Sequence, residues 1–111
     1  MEQSQKKDYK GLLPIGSVVK LAGFDHDFMV CGRVVVATGE DKIYDYVGFI
    51  YPEGIGTGDD LVFFDRDNIE SVQFIGYQDE FELMYRTQIL DDLGELAYVN
   101  GEIVPVSDDE D

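Results

Sequence analysis

The chain contains a single imidazole, His26, and a single thiol, Cys31, and neither has the neighbours that chemistry would require. His26 lies between Asp25 and Asp27, which would orient its ring, but there is no second histidine and no nearby cysteine to complete a zinc site. It reads as a solvated turn residue. Cys31 would need an adjacent base or a depressed pKa to act as a nucleophile, and Val30 and Gly32 supply neither, so it reads as a packing residue. Asp59, Asp60, Asp65 and Asp67 invite a calcium loop, yet the spacing lacks the glycine at the sixth position and the carboxylate at the twelfth. Gly54-x-Gly56-x-Gly58 is followed by two aspartates rather than by Gly-Lys-Ser or a helix start, which makes it a turn and not a phosphate cradle. Acids are abundant but fall in polar runs, whereas a hydrolytic pair needs one carboxyl raised in an apolar cleft. The expectation is a non-enzyme with no catalytic residue, no metal and no cofactor.

Aromatic residues are the other chemically loaded class. Tyr44, Tyr46, Phe49 and Tyr51 share one strand-like run, and tyrosine is favoured at protein interfaces because it combines a large apolar ring with a polar tip. Tyr44, Tyr46 and Phe49 are expected to fill a core; Tyr51, beside Pro52, is a candidate contact residue.

Five strands are expected to position these groups. Ser17 to Leu21 alternates around an outward Lys20 after a Pro14–Gly16 turn. Phe28 to Val36 places Phe28, Val30, Val34 and Val36 on one face, with Gly32 allowing a bend, and Met29, Cys31 and Val35 on the other beside Arg33. Ile43 to Tyr51 is the third strand and ends at Pro52; Leu61 to Phe64 and Ser71 to Ile75 follow, joined by the polar turn Asp65 to Asn68. The fold class this implies is mainly β (α+β): a small five-stranded antiparallel, partly closed barrel with one C-terminal helix.

The second and third strands are apolar on both faces, so something must cover the second one. The candidate is a helix beginning at Asp79, where Asp79 and Glu82 have capping-box spacing. Its Phe81, Met84, Tyr85 and Ile89 fall on one side and are expected to face the sheet. Leu83 and Leu90 lie opposite, with no evident partner inside the chain; with Tyr51 and Tyr77 they are the candidate partner-binding residues. The domain limits are a flexible lead-in over 1–11, the barrel-like domain with its helix over 12–93, and an acidic tail over 94–111, with a short hairpin and then disorder from Ser107.

Charge narrows the function classes. With 24 acidic residues against 8 basic, the net charge of −16 repels nucleic acid and anionic membranes, which bind through clustered Lys and Arg. No run approaches the ~20 apolar residues of a membrane span. The lone cysteine and the polar N-terminus point to the cytoplasm.

Leu13-Pro14-Ile15-Gly16-Ser17-Val18-Val19, Tyr44-Asp45-Tyr46-Val47-Gly48, Tyr51-Pro52-Glu53-Gly54, Phe63-Phe64 and Gly76-Tyr77-x-Asp79-Glu80 occur in that order. On these blocks the chain resembles, from Leu13 to Leu90, a family of short Gram-positive bacterial proteins known as domain of unknown function 4176. Its genes lie beside those of LXG toxins and type VIIb secretion components. The resemblance implies a cytoplasmic targeting chaperone or adaptor that engages a secreted LXG toxin before export, and it brings no catalytic residues. Two alternatives stay open: an immunity protein whose acidic face blocks a toxin domain, and a small ligand-binding barrel. Tyr98 and Glu102 match the Tyr-x-x-x-Glu pattern associated with type VII export, at a frequency that chance supplies in a chain this rich in tyrosines and acids.

Overall fold

Alternating apolar residues between glycine turns produce strands close to where that periodicity puts them. The computed structural model describes residues 9–37, 39–57, 60–99 and 101–105. The strands are β1 (Val18–Leu21), β2 (Asp27–Val36), β3 (Ile43–Tyr51), β4 (Val62–Phe64) and β5 (Ile69–Phe74). A helix, α1 (Glu80–Tyr85), continues into a wider π-helical turn, Arg86–Leu90, and a hairpin of β6 (Leu96–Val99) and β7 (Glu102–Pro105) follows. The first five strands form one sheet in the order β4-β3-β2-β1-β5, with every pairing antiparallel.

The partly closed barrel is corrected to an open, coiled sheet, because β4 and β5 lie at opposite edges with no ladder between them. Four strand spacings would hold the edges of a flat sheet roughly 19 Å apart. From Phe64 to Ile69 the chain spans at most about 18 Å fully extended, and the 3₁₀ turn over Arg66–Asn68 shortens that reach. The sheet must therefore curl. Closure fails because β4, with three residues, runs out first, and the turn's own polar groups occupy the gap. Asp45 N donates to Asp65 Oδ1 (3.0 Å), Arg66 N to Asp45 Oδ2 (2.9 Å), and Ala22 N to the Asn68 carbonyl (2.9 Å).

Inside the curl, Val19, Leu21, Phe28, Val30, Tyr46 and Phe64 form the core, with the Tyr46 and Phe64 rings stacked at 5.4 Å. An N-terminal strap closes one side. Tyr9 and Leu12 are buried in the core, Leu13 N donates to the Tyr46 hydroxyl (2.9 Å), Gly11 N to Asp91 (2.9 Å), and Arg66 to the Lys10 carbonyl (3.0 Å). Residues 9–11, assigned from sequence to the lead-in, thus belong to the folded body. The hairpin expected within 94–111 forms, and Leu96 and Tyr98 pack on the core; residues 106–111, which include the stretch from Ser107 where disorder was expected, lie outside the described residues.

The helix faces the opposite way from expectation. Phe81, Met84, Tyr85 and Ile89 are all exposed, whereas Leu90 is in the core. A register shift between Val30 and Gly32 inserts Cys31 as a bulge in β2, so Arg33 rather than Gly32 stands opposite Tyr46, on the core side. Val34 has φ +55°, an unusual conformation for a β-branched residue, immediately after this reversal. Arg33 then grips Glu82 through two hydrogen bonds of 2.9 and 3.0 Å, donates to the Leu13 carbonyl, and lies 5.4 Å from the Tyr85 ring centroid. The side chains of Arg33 and Glu82 are only 6% and 11% exposed, so this charge pair sets the helix's rotation. Asp79 caps α1 as expected, accepting from Glu82 N at 3.0 Å, but the Glu82 carboxylate goes to Arg33.

Candidate protein-binding surface

Residues that alternate with the core positions make up the outer face of the sheet. Phe74, Val18, Met29 and Phe49 are successive cross-strand partners from β5 to β3, and Asp27 pairs with Tyr51 one step along. Cross-strand partners project to the same side, so these side chains form one apolar surface opposite Val19, Phe28 and Ile50. Phe74 is 59% exposed and Tyr51 48%. Between them lies a groove of about 420 Å³ lined by Val18, Asp27, Met29, Tyr51, Gln73 and Phe74. A register shift in the β1–β5 ladder between Val18 and Val19 sets Gln73 beside Phe74 in its wall.

Exposed apolar residues continue along the chain past β5. Gly76 presses on the Ile15–Ser17 backbone, its N–H donating to the buried Ser17 hydroxyl at 2.9 Å. A side chain at Gly76 would collide with the Ile15 carbonyl oxygen and come within 2.8 Å of Ser17 N. Ile15 and Ile75, on either side of this backbone contact, are both exposed, and Tyr77, 80% exposed, follows directly. A contiguous apolar surface on a small monomeric body marks a contact site, whereas isolated exposed apolar residues do not.

The four candidate residues from sequence separate here. Tyr51 lines the groove, and Tyr77 is exposed in the segment between β5 and α1. Leu83 is 45% exposed on α1. Leu90, at 2% exposure, is a core residue; the pairing of Leu83 with Leu90 as a free stripe is corrected, because the helix turns Glu82 and Leu90 inward. Phe74 and Met29 were not singled out. Met29 was legible from strand alternation, but Phe74 became prominent only because no helix covers it.

Of the residues singled out for chemistry, His26 and Cys31 are exposed, while Asp60 and Asp65 are held in internal contacts. His26 is exposed in the β1–β2 turn. Cys31 sits at the bulge, where desolvation pushes its thiol pKa up, away from the thiolate. Asp60 accepts from Gly56 N (2.5 Å) and Thr57 N (2.8 Å), which lowers its pKa and uses the glycine loop's own N–H groups; Gly58 and Asp59 lie outside the described residues. Asp45 is buried, with Oδ2 3.1 Å from Arg66 Nε, and Asp65 takes Lys42 at 3.0 Å. The sequence reading missed this cluster, since Asp45 looks like a strand alternation position and Arg66 like a turn residue. The cluster anchors the strap: burial, then the charges of Asp45 and Asp65, push the Tyr9 phenol up to about 12 against the opposing effect of Arg66. No helix among the described residues is long and apolar enough to cross a membrane.

A family model described as "Domain of unknown function (DUF4176)" matches residues 12–85. No curated protein and no solved structure matches the chain. The matched span explains itself in large part as packing. The Leu13–Val19 block meets Gly76, Tyr46 meets Phe64, and Asp79 caps α1; of the blocks, Tyr51 to Glu53 stands most fully exposed, beside the groove.

Proposed function

We propose that this protein, which belongs to the family of domain of unknown function 4176, is a non-enzymatic protein-binding accessory factor acting in the cytoplasm. In this reading it is a targeting chaperone or adaptor for a type VIIb-secreted LXG toxin of a Gram-positive bacterium. The observation that carries the binding role is the bare outer face of the sheet, where Phe74 and Tyr51 flank an open groove over Val18 and Met29. Leaving that face in water forfeits on the order of 25 cal/mol for each Å² of apolar area that a partner would cover. The toxin as partner comes from the genomic setting implied by the resemblance, and the acidic surface suits a basic partner region.

The test is co-expression with the LXG toxin encoded beside it. The toxin is expected to co-purify and to lose solubility and export when the gene is deleted. Phe74→Asp and Tyr51→Asp should each weaken capture by about tenfold, the scale of a central interface residue. A toxin that is equally soluble and equally exported in the deletion strain would end the chaperone assignment.

The net charge of −16 also favours a second reading, an immunity protein that covers a basic toxin active site. The site of contact separates the two. Binding to the toxin's N-terminal export region supports the adaptor, and protection against the isolated C-terminal toxic domain supports immunity.

A further inference from the structure

We propose that the outer-face groove takes a basic amphipathic segment of the partner protein, seating one large apolar side chain between Phe74 and Tyr51 and pairing an adjacent Lys or Arg with Asp27. This rests on the protein-binding reading above and adds the chemistry of the bound segment. The groove is polarised along its length. At one end Asp27 stands in the wall, and Asp25 and Glu53 extend the chain beyond the paired residues Asp27 and Tyr51 at the same end. Among the described residues the one lysine or arginine there, Lys20, is the cross-strand partner of Asp27 and turns its ammonium to the Phe24 carbonyl at 3.3 Å. Three carboxylates against one ammonium leave that end negative. At the other end Phe74 runs into Ile75 and Tyr77 with no charged residue before Asp79. A bound segment therefore meets carboxylates first and bare apolar surface second, which specifies a base beside an apolar anchor.

The same features argue against other occupants. A second copy would bring its own three carboxylates and a further charge of −16 to the contact. A strand added to the edge of β5 would meet a ladder with two register shifts, at Val18/Val19 and Lys20/Leu21, and bulged edges resist such pairing. A small apolar molecule in the groove would leave Ile75 and Tyr77 uncovered.

The test uses the full chain and synthetic amphipathic peptides of about twelve residues. One carries Phe flanked by Lys, a second has Glu in place of Lys, and a third has Ser in place of Phe. Binding is read by fluorescence anisotropy and located by amide shift mapping. The Lys/Phe peptide is expected to shift Val18, Met29, Tyr51 and Phe74, with the other two about tenfold weaker. Asp27→Asn should cost about fivefold and the distant exposed Asp92→Asn less than about twofold. Both variants keep the core intact. The proposal is overturned if the shifts map elsewhere, if the Glu peptide binds as well, if Asp92→Asn costs as much as Asp27→Asn, or if light scattering finds a dimer that Phe74→Asp dissolves. Toxin capture that is lost with Phe74→Asp but survives Asp27→Asn would remove this inference and leave the proposed function standing. Peptide binding that maps to the groove, with no toxin captured, would do the reverse.

Discussion

Phe28 and Phe74 belong to the same sheet, one strand apart across β1, and differ in what was built over them. Phe28 points into the curl, beneath the strap of Tyr9 to Leu13, the end of the helix at Leu90 and the β6–β7 hairpin. Phe74 points outward, where no described element covers it. The two faces have similar composition: Val, Phe and Ile inside, Val, Met, Phe and Tyr outside. Hydrophobicity alone therefore does not decide which face becomes the core. The curl of the sheet decides it, because the concave side can be closed by a short strap and one leucine, whereas the outer side would need a further layer.

Truncating the two phenylalanines should give the largest difference between the faces. Phe28→Ala should cost about 4 kcal/mol of stability, the range for a buried aromatic, and Phe74→Ala less than about 1 kcal/mol, both read from urea denaturation midpoints. Equal costs would mean that the outer face is covered in solution. The two leucines of the helical segment sharpen the contrast: Leu90→Ala should cost about 3 kcal/mol and Leu83→Ala about 0.5 kcal/mol. Equally small costs at the two leucines would restore the helix rotation that periodicity predicts.

The strap offers a test by pH. The folded Tyr9 phenol holds its proton to about pH 12, while the unfolded group releases it near 10.0. Between those values the folded state binds more protons, so stability should be unaffected by this group below pH 10 and fall as pH rises through 12. Tyr9→Phe should flatten that decline in part, with Tyr46, also raised chiefly by burial, contributing the rest. The smallest effect expected is at Lys42, whose side chain is 54% exposed in its pairing with Asp65. Lys42→Ala should change stability by about 0.5 kcal/mol or less, and less still in high salt.

Much of the fold was legible in residue order. The third strand, Ile43 to Tyr51, has the limits its alternation predicts, and the other four shift by no more than two residues at either end. Glycine, proline and Asp79 mark the boundaries because their effects on φ and on capping are local. The candidate site was legible in part. An apolar second face could be deduced from Met29, Phe49 and Tyr51, whereas the residues said to cover it were wrong. One inserted residue, Cys31, reverses the side of the strand on which Arg33 emerges, and helical periodicity gives the stripes of a helix without saying which stripe is buried. An arginine brought to the core side needs a carboxylate, and Glu82 answers that need more strongly than Phe81 or Met84 could by burial alone.

Composition, alternation and turn residues already make this a small acidic β protein with five strands, a capped helix and more apolar strand surface than one layer can hide. Long-range packing is what makes the sheet curl without closing, puts Leu90 in the core while Phe81 is bare, and leaves the groove between Phe74 and Tyr51 uncovered by any described element. These depend on which long-range pairs form, Arg33 with Glu82 and Asp45 with Arg66, and each joins residues separated by stretches of chain too long for local periodicity to relate.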